Sequence, residues 1–430
     1  MGRTRIQNAT IFTATGAAPF TGDVVVEDNR IVSVEAAARG EAPATDEVID
    51  ATGMFCMPGM TEGHAHLSFE NVLGAEDLMA PSPETQAFTT ARGAKALLEA
   101  GFTSAYGASE AKLRLAVAVR EEVNAGRLPG PRIRAGGVEI SVTGAMGDES
   151  REHNPRSSPS TIVDGVEEMR KAVRLHCREG VDNVKLDVSG DPFYPNTPGH
   201  TTPMTFEEVK VAVETAHAYR RKVNAHSRSI HGSKSCVRAG VDALLHCEYA
   251  DEELLDMLTE ARDRIFVVPT VGLFAQIMAG EATVHGISPE VGGYMNIPDL
   301  LENSIRTHTE LRKRGVRHLI GGDYGLAWSP QGTQGRDLKF FVEYYGYTPA
   351  EALVCATRNG GLAMGYDGEL GTLEAGKLAD LILVEGDPIA DISVLSGPDK
   401  VALVMKDGII QKISAPLTAR QNTPAREAAQ

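Results

Sequence analysis

Five times in this chain a helix-like stretch closes on glycine and a strand-like stretch soon follows: Glu99-Ala100-Gly101, Asn124-Ala125-Gly126, Arg178-Glu179-Gly180, Arg238-Ala239-Gly240 and Lys313-Arg314-Gly315. Glycine at that place accepts the left-handed conformation that ends helices. The strands expected after these stops are 102–108, 132–141, 183–189, 243–249 and 317–323. Two more runs, 222–227 and 265–271, fall between them, and the segment carrying His64 completes eight. Continuous apolar strands alternating with helices indicate an α/β fold with a parallel sheet covered on both faces. Eight such units over about 300 residues suit a closed (β/α)8 TIM-like barrel. One helix start is explicit, because Thr205-Phe206-Glu207-Glu208 has the form of a capping box.

The two ends of the chain read differently. Short β-rich pieces at 5–13 and 23–34, with more at 379–384 and 401–412, predict one small discontinuous β-sandwich built from both termini. The expected division is 1–54 and 366–414 for the sandwich, 55–365 for the barrel, and 415–430 for a polar C-terminal tail, loose or strapped over a neighbour. At 42% hydrophobic and without a long apolar run, the chain has nothing that would span a membrane. A formal charge of −16 with no basic tract disfavours nucleic acid and anionic lipid as partners. An odd count of five cysteines, spread through expected strands and helices, predicts reduced thiols and a cytoplasmic setting.

The residues that carry chemistry sit at the ends of these apolar runs. His64-Ala65-His66 places two imidazoles on one face of a strand, where they can grip one metal ion. Lys185, His226, His246 and Asp323 each close a later strand. Barrel enzymes work at the C-terminal ends of their strands, so residues far apart in sequence are expected to converge at one mouth.

In this pattern the chain resembles the amidohydrolase superfamily, which carries HxH on strand one, a carbamylated lysine on strand four, histidines on strands five and six, and aspartate on strand eight. Within it the likeness is to imidazolonepropionase-like and prolidase-like amide hydrolases, through His226 and His246 twenty residues on, and through Gly371-Thr372-Leu373-Glu374-Ala375-Gly376-Lys377-Leu378-Ala379-Asp380-Leu381. The resemblance implies two divalent ions, zinc first and manganese, iron or cobalt otherwise. His64, His66 and Asp323 would hold the more buried ion, His226 and His246 the more exposed one, with Lys185 bridging. An ammonium ion there would repel metals, whereas reaction with carbon dioxide gives an anionic carbamate with two ligand oxygens. Hydroxide shared by the ions would attack, and Asp323 would move its proton to the leaving nitrogen.

Several residues bear on substrate. His153, His200 and His231 follow strands on the side where substrate enters, and His231 is the expected substrate contact or oxyanion donor. His176, His217, His308 and His318 fall in helices or near strand starts and read as structural. Met146 stands where relatives often carry a histidine, and Tyr324 and Trp328 follow Asp323. With Phe193, Tyr194, Phe274 and Met278 they predict an apolar, aromatic pocket. The expected function is hydrolysis of an amide in an N-acyl amino acid, a dipeptide or an ochratoxin-like compound, by a homo-oligomer. The alternative is a urea or carbamate hydrolase of the phenylurea or molinate hydrolase type. That group resembles a site with Asn at the first histidine, and here His64 is intact. A deaminase fits less well with the strand-four lysine, and a non-catalytic scaffold less well with six intact ligands.

Overall fold

The computed structural model describes residues 2–36, 47–153, 158–366, 368–415 and 417. Most of the expected tail, 416 and 418–430, lies outside the described residues. The terminal strands form one eight-stranded sheet in the order Ile409–Ile413, Val401–Lys406, Leu381–Glu385, Met54–Pro58, Arg3–Ile11, Phe20–Glu27 and Arg30–Ala36, with Glu47–Asp50 also paired to Arg3–Ile11. Met54–Pro58 runs antiparallel to Leu381–Glu385, so the two ends of the chain meet at the middle of this sheet. The period of two along these strands sorts their side chains into two cores. Cys56, Leu381, Leu383 and Leu403 pack with Ile6, Ile11 and Val24 inside the sheet's own layer. Their neighbours Phe55, Met57, Ile382 and Val384 face the helices and strands of the central region and join its core.

Between these ends lie parallel strands. Met60–Ala65, Phe102–Gly107 and Arg132–Arg134 make a three-stranded sheet. Thr161–Ile162, Gly136–Ser141, Asn183–Asp187, Lys222–Ser227, Ala243–His246 and Phe266–Val268 make a six-stranded one. Helices such as Pro83–Glu99, Gly165–Arg178, Phe206–Ala218 and Ile230–Ala239 follow the strands, as the glycine stops predict. Gly240 has the expected left-handed backbone, φ 87°. The capping box at Thr205 is present, with Thr205 Oγ1 accepting from Glu208 N and Glu208 returning to Thr205 N.

Two expectations are corrected. The third strand is not continuous: it breaks at Ala135 into Arg132–Arg134, paired with Phe102–Gly107, and Gly136–Ser141, paired with Asn183–Asp187. Backbone crowding accounts for the break, since a Cβ on Gly107 would sit 2.5 Å from Arg134 O, and one on Gly136 would sit 2.7 Å from Ala108 O. The eighth strand, 317–323, is reduced to a single parallel bridge between His318 and Val267. The parallel strands therefore form two sheets rather than one unbroken ladder, and single contacts span the gaps. Ser109 bridges to Gly137, and Gly63 N donates to Ile320 O at 2.8 Å. At the second gap the chains touch so closely that a Cβ on Gly63 would lie 2.6 Å from Ile320 O, and one on Gly321 2.8 Å from His64 N. Among the described residues no helix is long and apolar enough to cross a membrane.

Candidate metal centre

Strand ends and the turns after them carry all six expected ligands into one cavity of about 420 Å³, whose wall includes His64, His66, Lys185, His226, His246 and Asp323. His64 Nε2 lies 4.0 Å and His66 Nε2 3.0 Å from Asp323 Oδ1. Donor atoms of His64, His246 and Asp323 all fall within 4.8 Å of one another. The imidazoles form a continuous cluster, with ring centres 4.9 Å apart for His64 and His66, 5.3 Å for His64 and His246, and 4.3 Å for His226 and His246. His246 and Asp323 both have left-handed backbone, φ 74° and 62°, a conformation that residues with side chains seldom adopt and that clusters at functional sites.

The hydrogen bonds around the rings fit cation ligands. A carbonyl only accepts, so His66 Nδ1 donates to Ser109 O at 2.8 Å, and its Nε2 lone pair is left facing the Asp323 carboxylate. His226 Nε2 donates to Gly190 O at 3.0 Å, which frees Nδ1. His246 Nδ1 is paired with Thr270 Oγ1 at 2.8 Å, which frees Nε2. His64 is 1% exposed, and neither of its ring nitrogens has a hydrogen-bond partner. Imidazoles that spend one nitrogen on the protein and turn the other to a common centre are the usual arrangement around a metal. Burial also keeps them neutral, as ligands must be. It presses His64 and His246 well below the ordinary histidine range, and His226, with Arg228 beside it, down to about 4. Burial works against the charge of Asp323, but His64, His66 and Lys185 outweigh it and hold the carboxyl well below its usual range.

Lys185 is 2% exposed, and its Nζ lies 3.6 Å from Glu139 Oε1. Glu139, which the sequence reading passed over, also accepts from Ser109 Oγ at 3.0 Å and lines the cavity. Arg228 was missed as well. Its guanidinium is fully buried, bonded to Asp191 Oδ2 at 2.9 Å and to Glu248, and it lies 4.9 Å over the Phe274 ring. The spacing His226-Ser227-Arg228 was the available signal, because alternate strand residues share a face. Burial raises Glu248 to about 7 even with Arg228 beside it.

Of the expected substrate contacts, Met146, Tyr194 and Trp328 line the cavity together with Phe69, Phe193, Leu273 and Leu326. Trp328 and Phe193 rings lie 6.1 Å apart. His231 and Tyr324 are not brought to it. His231 is the second residue of the helix Ile230–Ala239, capped by Ser229, and its side chain is exposed on the outside. Tyr324 is turned into the core, where its hydroxyl meets Asp337 Oδ1 at 3.0 Å. His153 is exposed, and His200 lies on a separate cavity with Tyr249 and Tyr294. Phe274 packs under Arg228 instead of lining the wall, and Met278 packs with Leu273 and Ile277.

Parallel strands that deliver four imidazoles, a lysine and a carboxylate to one cavity define an α/β enzyme with its chemistry gathered at the strand ends. The sequence pattern of the amidohydrolase family matches residues 55–410, and the chain belongs to that family. It is a hydrolase acting on carbon–nitrogen bonds. The ochratoxinase of Aspergillus niger is 30% identical over 385 residues, 83% of this chain and 75% of that protein. Its crystal structure aligns with a TM-score of 0.82 at 28% identity, covering 96% of each chain. The crystal structure of a Xaa-Pro dipeptidase with methionine bound in its active site aligns with a TM-score of 0.84 at 27% identity, covering 95% of this chain and 99% of the other. Molinate hydrolase shares the fold, with a TM-score of 0.78 at 21% identity over 100% of this chain and 99% of its own.

Proposed function

We propose that this protein is a binuclear metal amidase that hydrolyses N-acyl amino acids, dipeptides or ochratoxin-like amides with an apolar or aromatic part. The observation that supports it most is the convergence of Lys185 with the four imidazoles and Asp323 in one cavity. His64, His66 and Asp323 would hold one ion, His226 and His246 the other, and Lys185, as its carbamate, would bridge them. Zinc suits this nitrogen and oxygen donor set, with manganese, iron and cobalt as further candidates. When bound, such ions lower the pKa of water toward neutrality and polarise the scissile carbonyl. Asp323 is the proton carrier, taking a proton from the attacking water and passing it to the leaving nitrogen. Ser109, Gly190 and Thr270 fix the ring orientations of His66, His226 and His246. Met146, Phe193, Tyr194 and Trp328 give the acyl or aryl part of the substrate an apolar bed. The closed barrel, the small β-sandwich and its limits at 54, 365 and 414 belong to the same reading, as do a homo-oligomer and a cytoplasmic setting.

The second reading, a urea or carbamate hydrolase, is favoured by Met146, a sulfur side chain where a polar contact to an amino acid substrate would otherwise stand. One measurement tests the metal centre common to both readings, and a second decides between them. Purified protein should contain close to two divalent ions per chain, and chelation should abolish a hydrolysis that zinc or manganese restores. Screened against N-acyl amino acids, dipeptides, phenylureas and thiocarbamates, the loaded protein should release amino acids from the first two groups. Turnover confined to the last two would install the second reading, and full activity without metal would end both.

A further inference from the structure

The main chain at His246 is gripped from behind the cavity. His246 and Cys247 are consecutive residues with left-handed backbone, φ 74° and 58°, a conformation that residues with side chains rarely adopt. Something must hold that peptide in place. The His246 carbonyl is bonded to His308 Nε2 at 2.8 Å, His308 Nδ1 to His318 Nε2 at 3.1 Å, and His318 Nδ1 to the Tyr347 hydroxyl at 2.8 Å. We propose that Tyr347, His318 and His308 form a one-way hydrogen-bond chain that fixes the left-handed peptide of His246 and so sets how tightly this residue holds metal.

The direction follows from counting protons. A carbonyl oxygen accepts only, so His308 Nε2 carries a proton. One proton lies between His308 Nδ1 and His318 Nε2. If it belonged to His308, that ring would be a cation, fully buried and with no carboxylate paired to it among the described residues. It therefore belongs to His318, whose Nδ1 accepts from the Tyr347 hydroxyl. The three residues come from separate elements: His308 from the helix Ile297–Lys313, His318 from the bridge that replaces the eighth strand, and Tyr347 from the turn before Pro349–Ala356. Tyr347 stands in the wall of a second cavity, of about 660 Å³, that Gly315, Val316 and Arg317 place on the strand-start side. Arg312 lies over its ring at 4.9 Å. The chain thus ties one face of the fold to a ligand at the other. His308, His318 and Tyr347 are positioning residues, since none of them lines the ligand cavity.

The consequence for metal rests on the reading of the centre given above; the proton order does not. Long-range proton–nitrogen correlation spectra of the full-length, histidine-labelled protein should show both His308 and His318 as Nε2–H tautomers at neutral pH, with or without metal. In cobalt titrations followed by absorbance, His308→Leu should weaken binding by the 10- to 100-fold typical of lost supports around a ligand, and Tyr347→Phe severalfold. His308→Gln, whose amide donates to the His246 carbonyl and accepts from His318, should stay close to the natural protein. An Nδ1–H tautomer on either ring would overturn the proposal, as would unchanged cobalt affinity in folded His308→Leu. Should that variant not fold, unchanged affinity in Tyr347→Phe has the same force. If the natural protein takes up no cobalt, the metal reading fails, and the tautomers alone decide the chain.

Discussion

The ammonium nitrogen of Lys185 lies 3.6 Å from Oε1 of Glu139, in a cavity where the lysine is all but inaccessible to solvent. Burial works against the charge of Glu139, but Lys185, His66 and Ser109 outweigh it and keep the carboxyl below its ordinary range. As a carbamate, Lys185 would instead be an anion beside an anion. Cations are then needed to hold the two together.

Lys185→Ala should accordingly lose metal and turnover together. Short carboxylic acids should restore a small part of each by occupying the gap. Elemental analysis beside a rate assay checks this, and near-normal turnover in the variant would remove the bridging role.

Asp323→Asn keeps the shape and one ligand oxygen but loses the base. Turnover should fall by roughly 10²- to 10⁴-fold, as for lost general acid–base catalysis, while a substrate analogue still binds. Metal content separates the two duties of this residue: a rate loss merely proportional to lost metal would leave Asp323 a ligand only.

Trp328→Ala should raise KM for aromatic acyl substrates by about tenfold or more, the effect of 1–3 kcal/mol of apolar contact in a pocket, with little change for an acetyl substrate. Equal losses for both substrates would mean that Trp328 shapes the loop and not the pocket.

His176 offers a test of stability against pH. It is fully buried with both ring nitrogens unpartnered, and burial lowers it to about 4. Between about pH 6.5 and 4 the unfolded chain binds a proton there and the folded chain does not, so stability falls as pH drops through that window. The loss at the low end is roughly 3 kcal/mol at 1.36 kcal/mol per pH unit. His176→Leu should flatten this limb of a urea-denaturation series relative to the natural protein. Parallel curves would show that His176 is protonated alike in both states.

The site was legible to the extent that it depends on local sequence. His64, His66, Lys185, His226, His246 and Asp323 each end an apolar run, and a strand end is a local event that the pattern marks. His231 misled because five residues past His226 reads as loop, whereas the Ser229 cap starts a helix at once and carries the ring outward. Tyr324 misled because Asp337, thirteen residues on, pulls its hydroxyl inward. The missing eighth strand has a similar cause, since Gly321 and Gly322 are there to let the chain press against His64 and Asp337, a tertiary demand that no periodicity records. Glu139 and Arg228 were in view at strand spacing, but their partners are distant in sequence: Lys185 lies on another strand, and Asp191 and Glu248 lie in the segments that follow two others.

The sheet that joins Met54–Pro58 to Leu381–Glu385 also sets a timetable for the emerging chain. A ribosome adding about 5–20 residues each second needs roughly 15 to 60 seconds to travel from the first of these strands to the second. Through that interval Phe55 and Met57 can already settle against the central strands and helices as these are made, but the edge that will receive Leu381–Glu385 stays open. Met54–Pro58 is thus translated before the central strands and yet completed after them, and a chain stalled before Leu381 would carry an unpaired strand edge.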